Sequence, residues 1–210
     1  KNILKGKTLA RSMMNLSLVG QSLEEGLVLD IGGGKKPSYF DFINVPNGAT
    51  VINLDKQHTL GENKNIDLEK DPLPYGNESV DHVIMFNVLE HIYHHQLVVK
   101  EAYRVLRHGK TLVGFVPFLV NYHPDPNDYF RYTGEALQKI FEEADFRDIS
   151  IIPIGYGPFA IHFNNLSSFM PIIFNVLAWP VYYLLDCTLI VIRPSMRERF
   201  PVGYLFILKK

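Results

Sequence analysis

Short apolar runs alternate with segments of helical periodicity along this chain, and that alternation constrains the fold more than any other feature. Each run is rich in Val, Ile, Leu or Phe, as expected of a buried strand. The strand-like runs are residues 26–31, 50–55, 80–86, 111–116, 149–154 and 203–208. Helices are predicted at 88–106 and 135–144, and another at 8–23 leads into the first strand. The alternation predicts an α/β fold, in which helices cover both faces of a doubly wound, three-layer sheet.

Composition limits the class of protein. A length of 210 residues favours a single domain spanning 1–210, and a hydrophobic fraction of 47% excludes intrinsic disorder. The formal net charge is −1, so the basic surface that nucleic-acid binding requires is not expected. The only cysteine, Cys187, excludes a disulfide framework and a multi-cysteine zinc site. A lone cysteine suits a reducing compartment, and we expect a cytoplasmic protein.

One stretch departs from this ordinary composition. Between residues 149 and 192 the only formally charged side chain is Asp186. We interpret residues 158–200 as an apolar insertion before the last strand. Three roles remain open for it: helices that cover the core or a homodimer face, a peripheral membrane patch, or a re-entrant hairpin. Asn175, Pro171, Pro180 and Asp186 argue against a simple transmembrane span.

The sequence Asp30-Ile31-Gly32-Gly33-Gly34 directly follows the first strand. Glycines there allow positive φ angles and let a ligand approach the backbone closely, although a simple tight turn would use the same residues. A nicotinamide cofactor is disfavoured because Pro37 stands where a dinucleotide motif needs its last glycine. Asp55 ends the second strand, where a carboxylate can accept hydrogen bonds from both hydroxyls of a ribose.

Five segments, in order, resemble the motifs of the class I S-adenosylmethionine-dependent methyltransferases, in particular the type 11-like domain. The matching segments read VLDIGGG at 28–34, NLD at 53–55, DL, LP and ESVD within 67–81, NVLEHI at 87–92 and RVLRHGK at 104–110. The sequence departs from the family pattern at Lys36, in place of a third glycine, and at His108, in place of a proline. The resemblance implies a Rossmann-like sheet whose last strand is antiparallel and lies between two earlier strands.

The resemblance also implies a set of contacts to S-adenosylmethionine. Gly32 and Gly34 would line its methionine and ribose, with Asp30 orienting their loop. Asp55 would bind the ribose hydroxyls, and Asp55→Ala is expected to weaken cofactor binding by about 1–3 kcal/mol. The remaining implied contacts are Asp67 and Leu68 at the adenine and Asn87 at the methionine end.

His91 is the candidate catalytic residue. It lies near the position of the methyl group, and an imidazole can remove the proton of an oxygen acceptor as the methyl arrives. A structural histidine bonded to a neighbouring loop is the alternative. His91 and His95 are also spaced as metal ligands on a helix would be, yet the sequence supplies no evident third ligand. No metal is therefore expected.

The polar and aromatic segment 121–133 follows the fourth strand-like run, where acceptor-binding loops of such sheets lie. Its DYFRYT string resembles a subset of these methyltransferases associated with surface-glycan biosynthesis. The candidate acceptor-binding residues are His123, Asp128, Tyr129 and Arg131. A purely structural Arg131, which pins the loop through a carboxylate, is an equal alternative.

Two functions follow from these observations. The first is methylation, at an oxygen, of a small acceptor or of one linked to a glycan or lipid. The second is a catalytically inactive methyltransferase-like domain that acts as a membrane-associated partner in a biosynthetic complex. The departures at Lys36 and His108 keep the second alternative open.

Overall fold

The computed structural model describes residues 8–34, 37–54 and 66–210. Its strands form a six-stranded sheet with the order β2-β1-β3-β4-β6-β5. The strands are β1 (Leu27–Ile31), β2 (Thr50–Leu54), β3 (Val80–Phe86), β4 (Leu106–Pro117), β5 (Asp148–Gly155) and β6 (Pro201–Lys209). The helices are α1 (Leu9–Ser17), α2 (His95–Val105), α3 (Gly134–Glu143), α4 (Pro158–Ser167), α5 (Ile172–Ile192) and α6 (Met196–Arg199). Two 3-10 turns span Ser38–Asp41 and Leu89–His91.

Four neighbouring strands, β2, β1, β3 and β4, are parallel, whereas β6 is antiparallel to both β4 and β5. The last strand therefore lies between two earlier strands, and the predicted α/β fold, Rossmann-like and mostly parallel, is confirmed. All residues of the central strand β3 are buried, including the polar Asp81 and His82, and the strand ends in the apolar run Val83–Phe86.

Two hydrophobic cores lie on opposite faces of the sheet and make the fold three-layered. Alternate residues of β3 divide between them: Val83 and Met85 belong to one core, Ile84 and Phe86 to the other. The first core is covered by the buried faces of α2 and α3. The second is covered partly by Met14 of α1. This alternation follows from the two-residue period of a strand.

The helix predicted at 88–106 is wrong in its first half. Leu89–His91 is a 3-10 turn, Ile92 is extended, and α2 begins only at His95. The carbonyl groups that would continue the helix are used elsewhere: the hydroxyl of Tyr132 donates to Leu89 O (2.9 Å) and the amide of Tyr129 to Glu90 O (2.8 Å). Tertiary contacts with the loop before α3 therefore replace local helical hydrogen bonds.

The N-terminal helix predicted at 8–23 ends at Ser17. Thr8 caps its start by accepting a hydrogen bond from the Arg11 amide (3.2 Å). Gly20 has a φ of +90°, which an α-helix cannot accommodate, and Ser22 forms an isolated bridge with Asn44. The chain therefore leaves the helix and pairs with another loop before β1 begins.

The insertion between β5 and β6 is helical and comprises α4, α5 and α6. Gly155 is the register partner of Pro201, so the insertion leaves and rejoins the sheet at neighbouring positions. Among the described helices, α5 is long and apolar enough to cross a bilayer by length and composition, with a mean hydropathy of 1.6. Only 11% of its 18-residue apolar stretch is buried within the protein.

The polar side chains of α5 that argue against a simple span have partners within the protein. Asp186 is fully buried and accepts hydrogen bonds from the amides of Phe159 (3.0 Å) and Ala160 (2.6 Å), at the start of α4. Asn175 donates to the carbonyl of Ser167 (2.9 Å), at the end of α4. The polar face of α5 is therefore turned toward α4.

Candidate active site

A cavity of about 920 Å³ lies beyond the carboxyl ends of the parallel strands. Gly32 follows β1 on its wall, Asn87 follows β3, and Pro117 ends β4 there. The cavity extends from this strand edge past the loop before α3 to Phe169, just after α4. Parallel sheets bind their ligands at this edge, where strand ends and loops converge.

The glycine turn after β1 exposes backbone to the cavity. Gly32 and Gly34 have φ angles of +73° and +65°, in the left-handed region that favours glycine. A Cβ on Gly33 would lie 1.9 Å from Oδ2 of Asp30, so no side chain fits there. All three glycines line the cavity. The turn therefore offers a ligand a close approach to main-chain groups.

Asp30 lies beneath this turn and does not line the cavity. It is fully buried, and its carboxylate accepts hydrogen bonds from the hydroxyl of Tyr39 at 2.6 and 2.8 Å. The carboxylate lies directly against Gly33 of the turn, and its expected role in orienting the turn stays a prediction.

The other residues expected at the cofactor fall into two groups. Asp67, Leu68 and Asn87 line the cavity together with the glycines. The Asp67 carboxylate also accepts a hydrogen bond from the Glu69 amide (3.1 Å) and pairs with Lys70 (3.1 Å), so it shapes its own turn. Asp55 lies outside the described residues, and its expected role at the ribose stays a prediction.

The four candidate acceptor-binding residues also fall into two groups. His123 and Tyr129 line the cavity with His91, whereas Asp128 and Arg131 lie behind the wall. Arg131 binds both carboxylate oxygens of Asp128, which is 1% exposed and also accepts from the His123 amide (2.9 Å). This guanidinium lowers the pKa of Asp128 to about 2. The geometry corresponds to the structural alternative for Arg131, in which it pins the loop.

Glu90 was not singled out from the sequence, where it reads as one acid within a helix. It is fully buried, and neither carboxylate oxygen finds a hydrogen-bond partner among the described residues. Nε2 of His91 and Nε2 of His123 lie 3.7 and 3.8 Å from its Oε1. Proximity of this carboxylate raises the pKa of His123. Glu90, His91 and His123 form what we call the His–Glu cluster.

His95, which the sequence pairs with His91 at the spacing of two metal ligands on a helix, is not near this cluster. It is buried against the rings of Phe130 and Tyr132, with centroids 5.0 and 5.3 Å away. Burial lowers the pKa of His95. The helix on which His91 and His95 would share a face does not exist, because His91 belongs to the 3-10 turn.

Two further contributions to the cavity come from outside the sheet. Arg11 and Met14 reach it from α1, and Asn164, Ser168 and Phe169 reach it from α4 and the following turn. Helical spacing of apolar residues gave no signal for Arg11. The end of the cavity next to segment 121–133, which we call the acceptor end after the residues predicted there, is therefore lined partly by the apolar insertion.

Comparison with known proteins gives the same result as the geometry. Residues 29–114 match a family model described as a methyltransferase domain. No curated protein sequence matches the chain. The matched stretch contains the end of β1, the glycine turn, β3 and the segment from Asn87 to His91, so it covers much of the cavity wall.

Solved structures share the fold at low sequence identity. A methyltransferase from Archaeoglobus fulgidus that depends on S-adenosylmethionine (SAM) is 18% identical, with a TM-score of 0.58 over 95% of this chain and 94% of that one. A possible histamine N-methyltransferase from Thermotoga maritima is 14% identical, with a TM-score of 0.53 over 99% and 91%. Phosphoethanolamine N-methyltransferase 2 from Haemonchus contortus, in complex with S-adenosyl-L-methionine, is 13% identical, with a TM-score of 0.51 over 94% and 52%.

A doubly wound sheet with a glycine-lined cavity at its strand ends is the arrangement that the resemblance drawn from the sequence implies. The methyltransferase-domain match over residues 29–114 agrees with that resemblance. The cofactor that the resemblance implies is S-adenosylmethionine (SAM). The site agrees with such a cofactor, because the three glycines of the turn expose main-chain groups to a cavity of about 920 Å³.

Proposed function

We propose that this protein is a SAM-dependent methyltransferase that methylates an oxygen of a glycan- or lipid-linked acceptor at the cytoplasmic surface of a membrane. The proposal rests on the direction in which the cavity extends. It runs from the glycine turn to Phe169, which is 80% exposed and begins the apolar surface of the insertion. An acceptor held by a membrane anchor could thus reach the cofactor without leaving the bilayer surface.

The outer face of α5 supplies the membrane contact in this proposal. Its exposed apolar residues include Ile173, Leu177, Val181, Leu184 and Val191, which are 56–83% exposed. A continuous apolar face of this kind is typical of an interaction surface. Because Asn175 and Asp186 are turned toward α4, they impose no desolvation cost on that face.

The insertion is suited to lying on a bilayer and not to crossing it once. Gly155 and Pro201 pair in the sheet, so both ends of the insertion must stay on the same side. Arg193, Arg197 and Arg199 follow α5 and can meet anionic headgroups, which attract basic residues near the surface. These features support a peripheral membrane contact over a homodimer face.

In this proposal, different residues that line the cavity have separate roles in methyl transfer. When bound, S-adenosylmethionine supplies a methyl group on a positively charged sulfur. In this proposal the glycine turn, which lines the cavity, holds its methionine and ribose, and Arg11, another lining residue, binds its carboxylate. Alignment of donor and acceptor in such a site is worth about 7–11 kcal/mol.

In this proposal, His91 acts as the general base. Its Nδ1 lies 2.5 Å from the carbonyl oxygen of Asn127, and this contact fixes the orientation of the ring. The other ring nitrogen, Nε2, lies on the side of Glu90. In the proposed step, Nε2 takes the proton of the acceptor hydroxyl while that oxygen bonds to the methyl carbon. The electrons of the carbon–sulfur bond remain on sulfur. We expect His91→Ala to lower kcat about 100-fold, as loss of a general base does.

Vesicle experiments test the membrane part of the proposal. Label from methyl-tritiated SAM should enter a polyprenyl-phosphate-linked hexose in vesicles that contain phosphatidylglycerol, and the protein should float with them. A Leu177→Glu, Leu184→Glu variant should lose flotation and transfer but bind SAM normally by calorimetry. Val19→Glu, at an exposed apolar residue outside the insertion, is the matched control.

Three results would contradict this proposal. Wild-type protein that stays at the bottom of the gradient lacks the membrane contact. A dimer by ultracentrifugation that the α5 variant converts to monomer would assign the apolar face to a second copy. Absence of SAM binding at millimolar cofactor would favour the non-catalytic alternative.

A further inference from the structure

The His–Glu cluster has a composition that methyl transfer does not require. Its carboxylate is removed from water, and its three potential ligand atoms lie within 4.8 Å of one another. At 3.7 and 3.8 Å, the histidine nitrogens are too far from Glu90 Oε1 for good hydrogen bonds. A buried carboxylate without hydrogen bonds is costly, and a cation between the three groups would compensate it.

Both histidines are held in the way that metal-binding histidines usually are. His91 Nδ1 faces the carbonyl oxygen of Asn127 (2.5 Å), and His123 Nδ1 faces that of Asn121 (3.0 Å). A carbonyl only accepts hydrogen bonds, so Nδ1 of His91 carries the proton and its neutral ring has a free lone pair on Nε2. Nδ1 of His123 makes the shorter of its two contacts with a carbonyl, since the Arg131 guanidinium lies 3.4 Å away, and this contact favours the same tautomer. Metal-ligating histidines commonly donate their other N–H to a backbone carbonyl, which fixes tautomer and ring orientation.

The spacing of the donor atoms fits a small ion. Ligands about 2.0–2.1 Å from a tetrahedral ion are separated from one another by about 3.4 Å. The distances from Glu90 Oε1 to the two Nε2 atoms are a few tenths of an ångström longer, so small side-chain movements would complete the site. Imidazole and carboxylate ligands together suit zinc and neighbouring divalent transition metals.

We propose that Glu90, His91 and His123 bind one divalent transition-metal ion, such as Zn²⁺, whose open coordination position faces the acceptor end of the cavity. The inference reverses the expectation from the sequence that no metal is bound. That expectation considered His91 with His95, whereas the fold brings His91 together with its chain neighbour and with a residue of the acceptor loop.

The position of the site assigns a role to the ion, and this role rests on the proposed O-methylation. An acceptor hydroxyl bound at the open position would release its proton to solvent more readily, because the ion stabilises the alkoxide. In the metal-loaded protein His91 is then a ligand, and its role as general base describes the metal-free protein. Metal binding itself does not depend on the identity of the acceptor.

Equilibrium dialysis of untagged, chelator-treated protein against Zn²⁺ tests the site directly. We expect one tightly bound Zn²⁺ per chain, and Co²⁺ in its place should show visible absorption bands of a tetrahedral or five-coordinate ion. Glu90→Gln and His123→Ala should each lower the affinity at least about 100-fold. His108→Gln, at an exposed histidine paired with Glu78 outside the cavity, should leave it unchanged.

The outcomes are separable from those for the proposed function. SAM titration and circular dichroism should show that each variant is folded and binds cofactor. If the buried Glu90→Gln does not fold, His123→Ala, whose side chain is 42% exposed, provides the same test. Wild-type protein that retains no more Zn²⁺ than the His123→Ala variant, while it binds SAM, overturns the metal site alone.

Discussion

Two buried carboxylates organise different parts of this molecule in the same way. Asp30 packs against the glycine turn that lines the cavity, and Asp186 accepts hydrogen bonds at the start of α4 in the insertion. Both are fully buried. Each stands against a glycine that has no room for a side chain: a Cβ on Gly33 would lie 1.9 Å from Asp30, and one on Gly157 would lie 2.3 Å from Asp186.

The two arrangements differ in how far apart their parts are in the sequence. Asp30 and Gly33 belong to one motif, so the sequence alone identifies them. Asp186 is separated from Phe159 and Ala160 by most of the insertion, and it reads as a polar interruption of an apolar helix. The comparison teaches that a buried acid within an apolar segment can be a packing element and need not oppose membrane contact.

The largest effect is expected at the cofactor turn. In Gly33→Ala the new Cβ collides with the Asp30 carboxylate and lies 2.5 Å from the Tyr39 hydroxyl, so the turn must change shape. We expect SAM affinity, measured by calorimetry, to fall at least about 100-fold. Gly76→Ala is the control, because nothing lies within 4 Å of its added Cβ. Equal affinity in the two variants would show that the turn does not hold the cofactor.

A smaller and separate effect is expected in the insertion. Asp186→Ala removes the acceptor of two buried amides, and we expect the free energy of unfolding in urea to fall by about 3 kcal/mol. Trypsin should then cleave faster after the arginines that follow α5, while SAM affinity stays within twofold. Thr188→Ala, on the exposed side of α5, is the control. Loss of SAM binding comparable with that of Gly33→Ala would mean that the two regions are not independent.

Segment 121–133 contains a third acid, Asp128, whose side chain is 1% exposed. Its contribution to the stability of the fold should depend on pH. The pKa of Asp128 is lowered from 3.8 to about 2, so the ionised form stabilises the fold at pH values above 4. That stabilisation is lost as the pH falls through 2. Asp128→Asn should therefore lower the unfolding free energy by about 2 kcal/mol at pH 7, with the difference shrinking between pH 4 and 2. A difference that is constant with pH would contradict the assigned ion pair; Asp125→Asn is the control.

The smallest effect is expected at the hydrogen bond that the Tyr39 hydroxyl donates to the Asp30 carboxylate. Tyr39→Phe removes the hydroxyl that donates to Asp30, and we expect about 1 kcal/mol of lost stability with a few-fold weaker SAM binding. The effect is smaller than that of Gly33→Ala because the turn keeps its backbone conformation. Urea denaturation and calorimetry on the same samples measure both quantities. An unchanged SAM affinity would limit Tyr39 to a structural role.

Local signals predicted the fold well and the acceptor side of the site poorly. The strands were found because each contains a short run rich in apolar residues, and the glycine turn because its residues are consecutive. The helix at 88–106 was wrong because Leu89 and Glu90 use their carbonyls to bind the loop before α3. Glu90 was missed for the same reason, since only that loop brings His123 beside it.

The sequence by itself determined the order of strands and helices, the glycine turn with Asp30, and the apolar character of the insertion. These depend on residues that are adjacent or regularly spaced. Only the tertiary structure decided that Asp186 and Asn175 face α4, that Arg131 holds Asp128 behind the cavity wall, and that Glu90 lies between two histidines. Each of these depends on packing between segments far apart in the chain, which local periodicity does not record.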